Sequence, residues 1–148
     1  MLSYLPHIRL KIYLIHYTQK PKGMIMNEMK RLLSFVRRAV DDYGMIEDGD
    51  RIAVGISGGK DSLALLEVLS EMRRFYPKKY EIVAITIDMG FPSSDFSLIS
   101  EFCRRLKVKY KVVKTDIAKI IFDVRKESNP CSLCAKMRRG ALHAAAQE

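Results

Sequence analysis

A short run of small, charged and hydroxyl residues in the first half of the sequence has the composition of a phosphate-binding loop. It stands between an apolar run and a stretch with helical spacing, and reads Ser57-Gly58-Gly59-Lys60-Asp61-Ser62. Two glycines leave backbone amides open to an oxygen-rich ligand, and the first turn of the following helix points its amides at the same place. Serine and lysine side chains can bind phosphate oxygens, and an aspartate can help to place a magnesium ion. The run therefore predicts an anion-binding loop.

A pair of cysteines near the end of the sequence is the second group that could do chemistry. Cys131 and Cys134 are separated by two residues and follow Pro130, where a helix is expected to start. A thiolate binds metal or handles sulfur, and the spacing alone fits a redox pair, half of a zinc site or half of an iron–sulfur site. The third cysteine, Cys103, falls inside a predicted helix and is expected to be a small buried apolar residue.

Spacing excludes two common phosphate loops for residues 57–62. The Walker pattern fails because, counted from Gly55, the second glycine comes one place early, and because Asp61 follows Lys60 where a hydroxyl residue is needed. The dinucleotide pattern G-x-G-x-x-G fails because the intervals between the glycines are wrong. A different kind of loop is therefore required.

The elements that must position these groups alternate between strands and helices. Apolar runs over 51–56, 81–88 and 108–115 predict three strands, and the first two are expected to be buried on both faces. The order predicts an α/β fold with a doubly wound parallel sheet, in which ligands bind at the carboxyl ends of the strands. Asp88 ends the second strand, so it either meets that ligand or caps the strand end.

Helical spacing predicts a helix between these strands and one at each end of the pattern. The first helix is expected to start at Asn27 as its N-cap and to end at Gly44. The helix after the loop carries a predicted buried stripe of Leu65, Leu66, Leu69, Met72 and Tyr76. Further helices are expected over 93–107, from Asp116 to a break at Asn129-Pro130, and from Cys131 onward.

Length and charge limit the class of protein. The 148 residues fit one compact domain, for which we expect residues 24–148, with residues 1–23 as an extension that is disordered or follows a mis-assigned start. The formal net charge of +9 favours a polyanionic partner such as nucleic acid. Three cysteines without a secretory start, and an amino-terminal stretch too broken to span a membrane, favour a cytoplasmic protein without a membrane partner.

The loop sequence resembles the SGGxDS motif of the PP-loop ATP pyrophosphatases, and it stands in that family's context of strand, turn and helix. The resemblance implies a Rossmann-like adenine nucleotide alpha-hydrolase fold, with ATP and Mg²⁺ as ligands and cleavage between the α- and β-phosphates. It implies Lys60 and Asp61 as catalytic residues. The ATP-binding residues that it implies are Ser57, Gly58, Gly59, Lys60, Asp61, Ser62 and Asp88.

A finer resemblance is carried by CSLCAKMRRGAL together with MIEDGDRIAVGISGGKDS, which are similar to the TtcA family of bacterial enzymes that form 2-thiocytidine in tRNA. It implies that Cys131 and Cys134, with a third cysteine, hold a 4Fe-4S cluster that passes sulfur to an adenylated base in the anticodon loop. It also implies a sulfur donor such as a cysteine desulfurase, and a homodimer. Candidate contacts to tRNA phosphates are Lys136, Arg138 and Arg139, and a basic run of Arg104, Arg105, Lys107, Lys109 and Lys111.

The sequence departs from that family by ending at Glu148. Family members continue with a further strand, a histidine–aspartate motif and the third cluster cysteine, so we expect an incomplete fold that binds nucleotide weakly and does not thiolate by itself. Two alternatives stay open. One is an enzyme of the related 2-thiouridine type, and the other is a non-catalytic remnant that binds nucleotide or RNA.

Overall fold

The structure is a computed structural model that describes residues 22–92, 94–124 and 130–148. Strands and helices alternate along the chain, as the sequence predicts. In chain order the elements are helix α1 (Lys22–Asp42), strand β1 (Asp50–Gly55), helix α2 (Lys60–Met72), strand β2 (Tyr80–Asp88), helix α3 (Ser97–Arg105), strand β3 (Lys109–Lys114), the short helix α4 (Ile117–Lys119), a π-helical turn (Ile120–Val124) and helix α5 (Pro130–Gln147).

The three strands form one parallel sheet in the order β1-β2-β3. Gly55 at the end of β1 lies opposite Ile85, and Asp88 at the end of β2 lies opposite Lys114. Because all three strands run in the same direction, their carboxyl ends meet at one edge of the sheet. That edge is where β1 leads into residues 57–62, so the loop lies where ligands of such sheets bind.

An apolar core fills the space between one face of the sheet and helices α1, α2 and α3. Successive strand residues point to opposite faces, so alternate residues such as Ile82 and Ala84 enter this core. Val54 and Ile56 enter it from the first strand and the residue after it. Helix α2 contributes the largest buried set, which comprises Leu63, Leu66, Leu69 and Met72. This packing anchors both ends of the loop that joins β1 to α2.

Helix α5 covers the opposite face of the sheet near the ends of β1 and β2. Ile85, which points away from the α1–α3 core, is also buried. At Gly55, an added Cβ would lie 2.7 Å from Cδ2 of Leu142, so the glycine allows helix and strand to approach closely. Helices therefore lie on both faces, which confirms the predicted α/β fold with a doubly wound parallel sheet for the described part of the chain.

Three details differ from the sequence-based expectations. Helix α1 begins at Lys22, so Asn27 lies inside the helix and is not its N-cap. Strand β1 is buried on both faces only near its end, and Ala53 is exposed, because β1 is an edge strand of the described sheet. Leu65 was expected in the buried stripe of α2 but is 45% exposed, while Leu63 is buried instead.

The remaining expectations on organisation concern the ends of the chain and membranes. Gly44 follows the end of α1 with a φ of +57°, and the amide of Met45 bonds the carbonyl of Val40 at 3.0 Å, which confirms the predicted helix end. Residues 1–21 lie outside the part of the chain that the structure describes, so the extension expected over residues 1–23 stays a prediction. None of the described helices is long and apolar enough to cross a membrane.

Candidate phosphate-binding site and cysteine pair

The loop of residues 57–62 exposes the amino-terminal amides of helix α2. Gly58 is buried and has a φ of +78°, a conformation that glycine adopts without strain. Gly59 is the N-cap of α2, and no side chain caps the helix. The amide of Leu63 bonds the carbonyl of Gly59 at 3.3 Å, so the amides of the turn before it have no acceptor within the helix. These amides are available to an anion.

The polar side chains of the loop contact one another. The hydroxyl of Ser62 donates to the carbonyl of Gly59 at 3.0 Å, and Ser57 Oγ lies 3.4 Å from Ser62 Oγ. Lys60 Nζ donates to Asp61 Oδ1 at 3.0 Å, although the two side chains are 75% and 90% exposed. An ion pair this exposed contributes little to stability, so both groups can turn toward a ligand at small cost.

A cavity of about 440 Å³ opens beside the loop, between the ends of β1 and β2 and helix α5. Ala135, Arg138, Arg139 and Leu142 share one face of α5, because they are spaced by three and four residues. The full lining comprises Gly55, Ile56, Ser57, Ile85, Ile87, Ala135, Arg138, Arg139 and Leu142. The cavity thus combines apolar walls, two guanidinium groups and the first residue of the loop, which suits a ligand with both a flat ring and phosphates.

A larger cavity of about 560 Å³ lies along helix α1 and contacts Phe75 after α2. It is lined by none of the predicted site residues. Its arginines, Arg37 and Arg38, are each paired at 3.5 Å with an aspartate one helical turn later. We therefore assign the candidate site to the smaller cavity, where the loop lies.

Cys131 and Cys134 lie at the start of α5, at the carboxyl edge of the sheet. Positions i and i+3 place both thiols on one side of the helix. Cys131 is exposed, whereas Cys134 is half-buried with its Sγ 3.5 Å from Sδ of Met89, the residue that follows β2. Ala135, the residue after Cys134, lines the cavity beside the loop, so the helix that carries the cysteine pair borders the same cavity as Ser57.

Cys103 is separated from this pair. It is fully buried in α3, and burial raises the pKa of its thiol to about 11. The expectation of a buried apolar role for Cys103 is confirmed.

Asp88 caps the turn that follows β2. Its Oδ1 accepts a hydrogen bond from the amide of Gly90 at 3.0 Å, while its carbonyl accepts two from Thr115, from the amide at 2.9 Å and from the hydroxyl at 2.8 Å. The capping alternative is therefore observed, and a contact between Asp88 and a nucleotide stays a prediction.

The predicted RNA-contact residues fall into separate places. Arg138 and Arg139 line the cavity, whereas Lys136 is exposed and does not. The basic run lies at the end of α3, at Lys107 in the turn that follows, and in β3, so it begins at the amino end of the sheet. Three of its members pair with carboxylates, as Arg104–Glu101, Lys109–Glu81 and Lys111–Glu148, and Arg105 lies over the ring of Phe102 at 5.0 Å. The two arginines of α5 are thus the predicted contacts that lie beside the loop.

Thr86 and Tyr110, which lie behind the loop, are not among the residues predicted from the sequence. Thr86 and Tyr110 are joined by a hydrogen bond of 3.0 Å, and Thr86 also bonds the carbonyl of Ile56, directly before the loop. The available signal was a lone hydroxyl residue within the apolar run EIVAITID, because a buried hydroxyl needs a partner.

The comparisons with known proteins agree with this site. A family model described as a PP-loop domain matches residues 26–147. The tRNA-cytidine(32) 2-sulfurtransferase of Geotalea daltonii is 48% identical over 120 residues, covering 80% of this chain and 48% of that protein. The enzyme of the same name from Geobacter sulfurreducens is 45% identical over 120 residues, which cover 80% of this chain and 47% of that protein. The one from Alkalilimnicola ehrlichii is 37% identical over 138 residues, which cover 89% of this chain and 44% of that protein. The chain spans about half the length of these curated relatives. By the match over residues 26–147, the chain belongs to the PP-loop domain family.

Proposed function

We propose that this chain is the ATP-binding domain of an enzyme that thiolates tRNA and forms 2-thiocytidine at position 32. The observation that carries the proposal is that the glycine loop and the cysteine helix border one cavity. A site that activates a base and then replaces its oxygen by sulfur needs both within reach of one substrate atom. The relatives are tRNA-cytidine(32) 2-sulfurtransferases, which supports cytidine in preference to the 2-thiouridine alternative.

ATP is proposed to bind with its phosphates on the loop and its adenosine toward the cavity. The uncapped amides of α2 and the hydroxyl of Ser57 would hold the pyrophosphate end. Lys60 would leave Asp61 to neutralise phosphate charge, and the freed carboxylate would help to place Mg²⁺ directly or through water. Arg138 lines the cavity opposite the loop, where it would meet the α-phosphate or the base.

The proposed reaction begins with attack of the cytosine O2 on the α-phosphorus of ATP. The bond between the α-phosphorus and the bridging oxygen breaks, and pyrophosphate leaves with its negative charge stabilised by the loop amides and Lys60. The base then carries AMP at its C2 oxygen. A sulfide-level nucleophile such as hydrosulfide then forms a bond to C2 and gives up its proton, and the C2–O bond breaks, so AMP leaves with the original oxygen. Adenylation thus turns a poor leaving group into a good one.

Cys131 and Cys134 are proposed to hold the iron–sulfur group implied by the family resemblance. A 4Fe-4S cluster bound there would supply the sulfur for the activated base. Two thiols on one helix face provide the donor type that such a cluster needs. Among the described residues no three His, Cys, Asp or Glu side chains converge on a possible metal position, so the further ligands would come from elsewhere.

The tRNA is proposed to approach over helix α5. Lys136 is exposed there and Arg139 lines the cavity, and a chain with a formal net charge of +9 attracts a polyanion. A sulfur donor such as a cysteine desulfurase, and a homodimer, belong to the same proposal.

The test separates base activation from sulfur transfer. The purified chain is given ATP, Mg²⁺ and either of two anticodon stem-loop RNAs that differ only by cytidine or uridine at position 32, and pyrophosphate release is measured. Release with the cytidine RNA alone supports the proposal. Release with the uridine RNA instead would indicate the 2-thiouridine type, and ATP binding without any release would indicate a non-catalytic nucleotide-binding protein.

A matched pair of variants identifies the site. Lys60→Gln is expected to lower ATP affinity at least about tenfold, since a contact to charged phosphate oxygens is lost. Lys79→Gln removes another exposed lysine, at the opposite end of the sheet just before β2, and is expected to leave the affinity unchanged. Equal affinities for both variants would contradict the placement of ATP on the loop.

A further inference from the structure

Thr86 is one of two buried residues among the described serines and threonines, and it contacts the backbone directly before the loop. It is 4% exposed and lies on β2, on the sheet face that packs against α2 and α3. Its hydroxyl donates to the carbonyl of Ile56 at 3.0 Å. Ile56 is the last residue before the loop, and its own amide makes the final bond between β1 and β2, to the carbonyl of Ile85 at 2.8 Å.

Tyr110 on β3 makes a hydrogen bond to the side chain of Thr86. Its hydroxyl donates to Thr86 Oγ1 at 3.0 Å, so the threonine oxygen accepts one hydrogen bond while it donates another. The tyrosine is half-buried and packs against the core. Two hydrogen bonds therefore run from β3 through β2 to the end of β1, and they stop at the carbonyl that precedes Ser57.

Because the peptide bond is planar, the orientation of the Ile56 carbonyl also determines the orientation of the Ser57 amide in the loop. In a trans peptide the carbonyl of one residue and the amide of the next point in opposite directions. Because the Ile56 carbonyl is directed at Thr86 of β2, the amide of Ser57 is directed away from Thr86. Ser57 itself lines the candidate cavity together with Arg138 and Arg139, so the orientation of this peptide bears on the ligand.

We propose that Thr86, supported by Tyr110, is a positioning residue that sets the orientation of the Ile56–Ser57 peptide and thereby aims the Ser57 amide at the phosphates. The inference rests on the proposed function for the identity of the ligand as ATP. Thr86 touches no ligand in this scheme. Its contribution to binding is made through the backbone of the loop.

The test compares three changes to this hydrogen-bonded path by equilibrium dialysis with ATP and Mg²⁺. Thr86→Val keeps the side-chain shape but leaves the Ile56 carbonyl without its donor, and we expect ATP affinity to fall about tenfold, the loss of one hydrogen bond to a charged group. Thr86→Ser keeps the hydroxyl and should stay within about twofold of the unmodified chain. Tyr110→Phe removes the support alone and should give a loss between the two.

Ser70→Ala is the matched control for a purely structural role. Ser70 is the other buried residue among the described serines and threonines, 5% exposed, and it donates to the carbonyl of Leu106 at 3.1 Å, away from the loop. Its loss should lower the melting temperature as Thr86→Val does, but leave ATP affinity unchanged. If Thr86→Val and Ser70→Ala bind ATP equally well, the positioning role is refuted.

A second readout keeps this inference separate from the proposed function. Residual dipolar couplings of the ¹⁵N-labelled chain without nucleotide report the direction of the Ser57 N–H bond. Thr86→Val is expected to change that coupling, and Thr86→Ser and Ser70→Ala to preserve it. If the unmodified chain does not bind ATP, the proposed function fails and the couplings still decide on Thr86; an unchanged Ser57 coupling in both Thr86→Val and Tyr110→Phe overturns the inference.

Discussion

Leu142 of helix α5 occupies the space that a side chain on Gly55 would need, with its Cδ2 2.7 Å from the position of that Cβ. The contact joins the end of β1 to the helix that carries Cys134 and Arg138. The distance between strand and helix therefore sets the width of the candidate site. A substitution at Gly55 or Leu142 should change both the free energy of unfolding and the affinity for the ligand.

Gly55→Val is expected to destabilise the fold by about 1–3 kcal/mol, because the added methyl groups force Leu142 and its helix outward. Leu142→Ala in the same chain should restore part of the loss, since it empties the space that valine needs. Urea unfolding of the two single variants and the double variant measures the coupling. Simple additivity of the two effects would show that the contact is not close in solution.

Gly58→Ala and Gly59→Ala should have different effects, because alanine strains the backbone at Gly58 but only takes up ligand space at Gly59. Gly58 has a φ of +78°, and alanine there is expected to cost about 1–2 kcal/mol of folding free energy. Gly59 has a φ of −79°, so alanine adds no such strain, although its Cβ would lie 3.4 Å from Ser57 Oγ. We expect Gly59→Ala to fold normally in urea titrations but to bind ATP more weakly; a stability loss equal to that of Gly58→Ala would argue against the loop conformation.

The three cysteines should differ in their reaction with iodoacetamide. Cys131 is exposed and Cys134 half-buried, whereas Cys103 has no exposed surface. Cys103 should react about a hundredfold or more slowly than Cys131, because its reaction requires opening of the core. Mass spectrometry of peptides after timed labelling gives the three rates, and urea should make them equal. Rapid native labelling of Cys103 would mean that α3 does not pack as described.

Stability should fall as the pH rises above about 9. Burial raises the pKa of Cys103 from 9.0 to about 11, so in this interval the unfolded chain releases a proton that the folded chain retains. The loss should be on the order of 1 kcal/mol between about pH 8 and pH 10. Burial also raises the pKa of Tyr80 from 10.0 to about 12, which extends the decline to higher pH.

Urea titrations at several pH values measure this dependence, and Cys103→Ala is the control. The substitution removes the ionising thiol and should flatten the curve below pH 10, apart from a constant offset for the smaller side chain. A curve that falls equally steeply in the variant would assign the effect to other groups.

Arg138→Ala is expected to weaken ATP binding about tenfold, because a guanidinium that contacts phosphate makes a charge-assisted hydrogen bond. Arg104→Ala serves as the comparison, since Arg104 is 81% exposed and lies in α3, on the other face of the sheet. It changes the net charge by the same amount and should leave ATP affinity unchanged at moderate salt. Equal losses in the two variants would point to a general charge effect.

The parts of the site that depend on neighbours in sequence could be predicted from the sequence. The loop could be predicted because glycine, lysine and serine at these intervals are typical of phosphate-binding loops. The strands could be predicted because apolar runs of this length are typical of parallel sheets. The end of α1 at Gly44 followed from the preference of glycine for positive φ. Its start did not, because N-cap preferences are weak compared with the tendency of the residues before Asn27 to continue a helix.

The parts that depend on packing could not be predicted in this way. Which face of α5 meets the sheet decides that Arg138 lines the cavity and that Lys136 does not, and the sequence of a weakly amphipathic helix does not fix that face. The bond from Thr86 to Ile56 depends on the register of β1 against β2. Register follows from the whole hydrophobic pattern and the connecting helix, and not from either residue alone.

The position of β1 at the edge of the described sheet has a consequence for assembly. Its hydrogen bonds run to β2, and on its other side no strand pairs with it in the part of the chain that the structure describes. Such an edge is a template for a further strand. A parallel strand added there would end beside Ser57, so a segment that pairs with β1 would lie next to the candidate phosphate-binding loop.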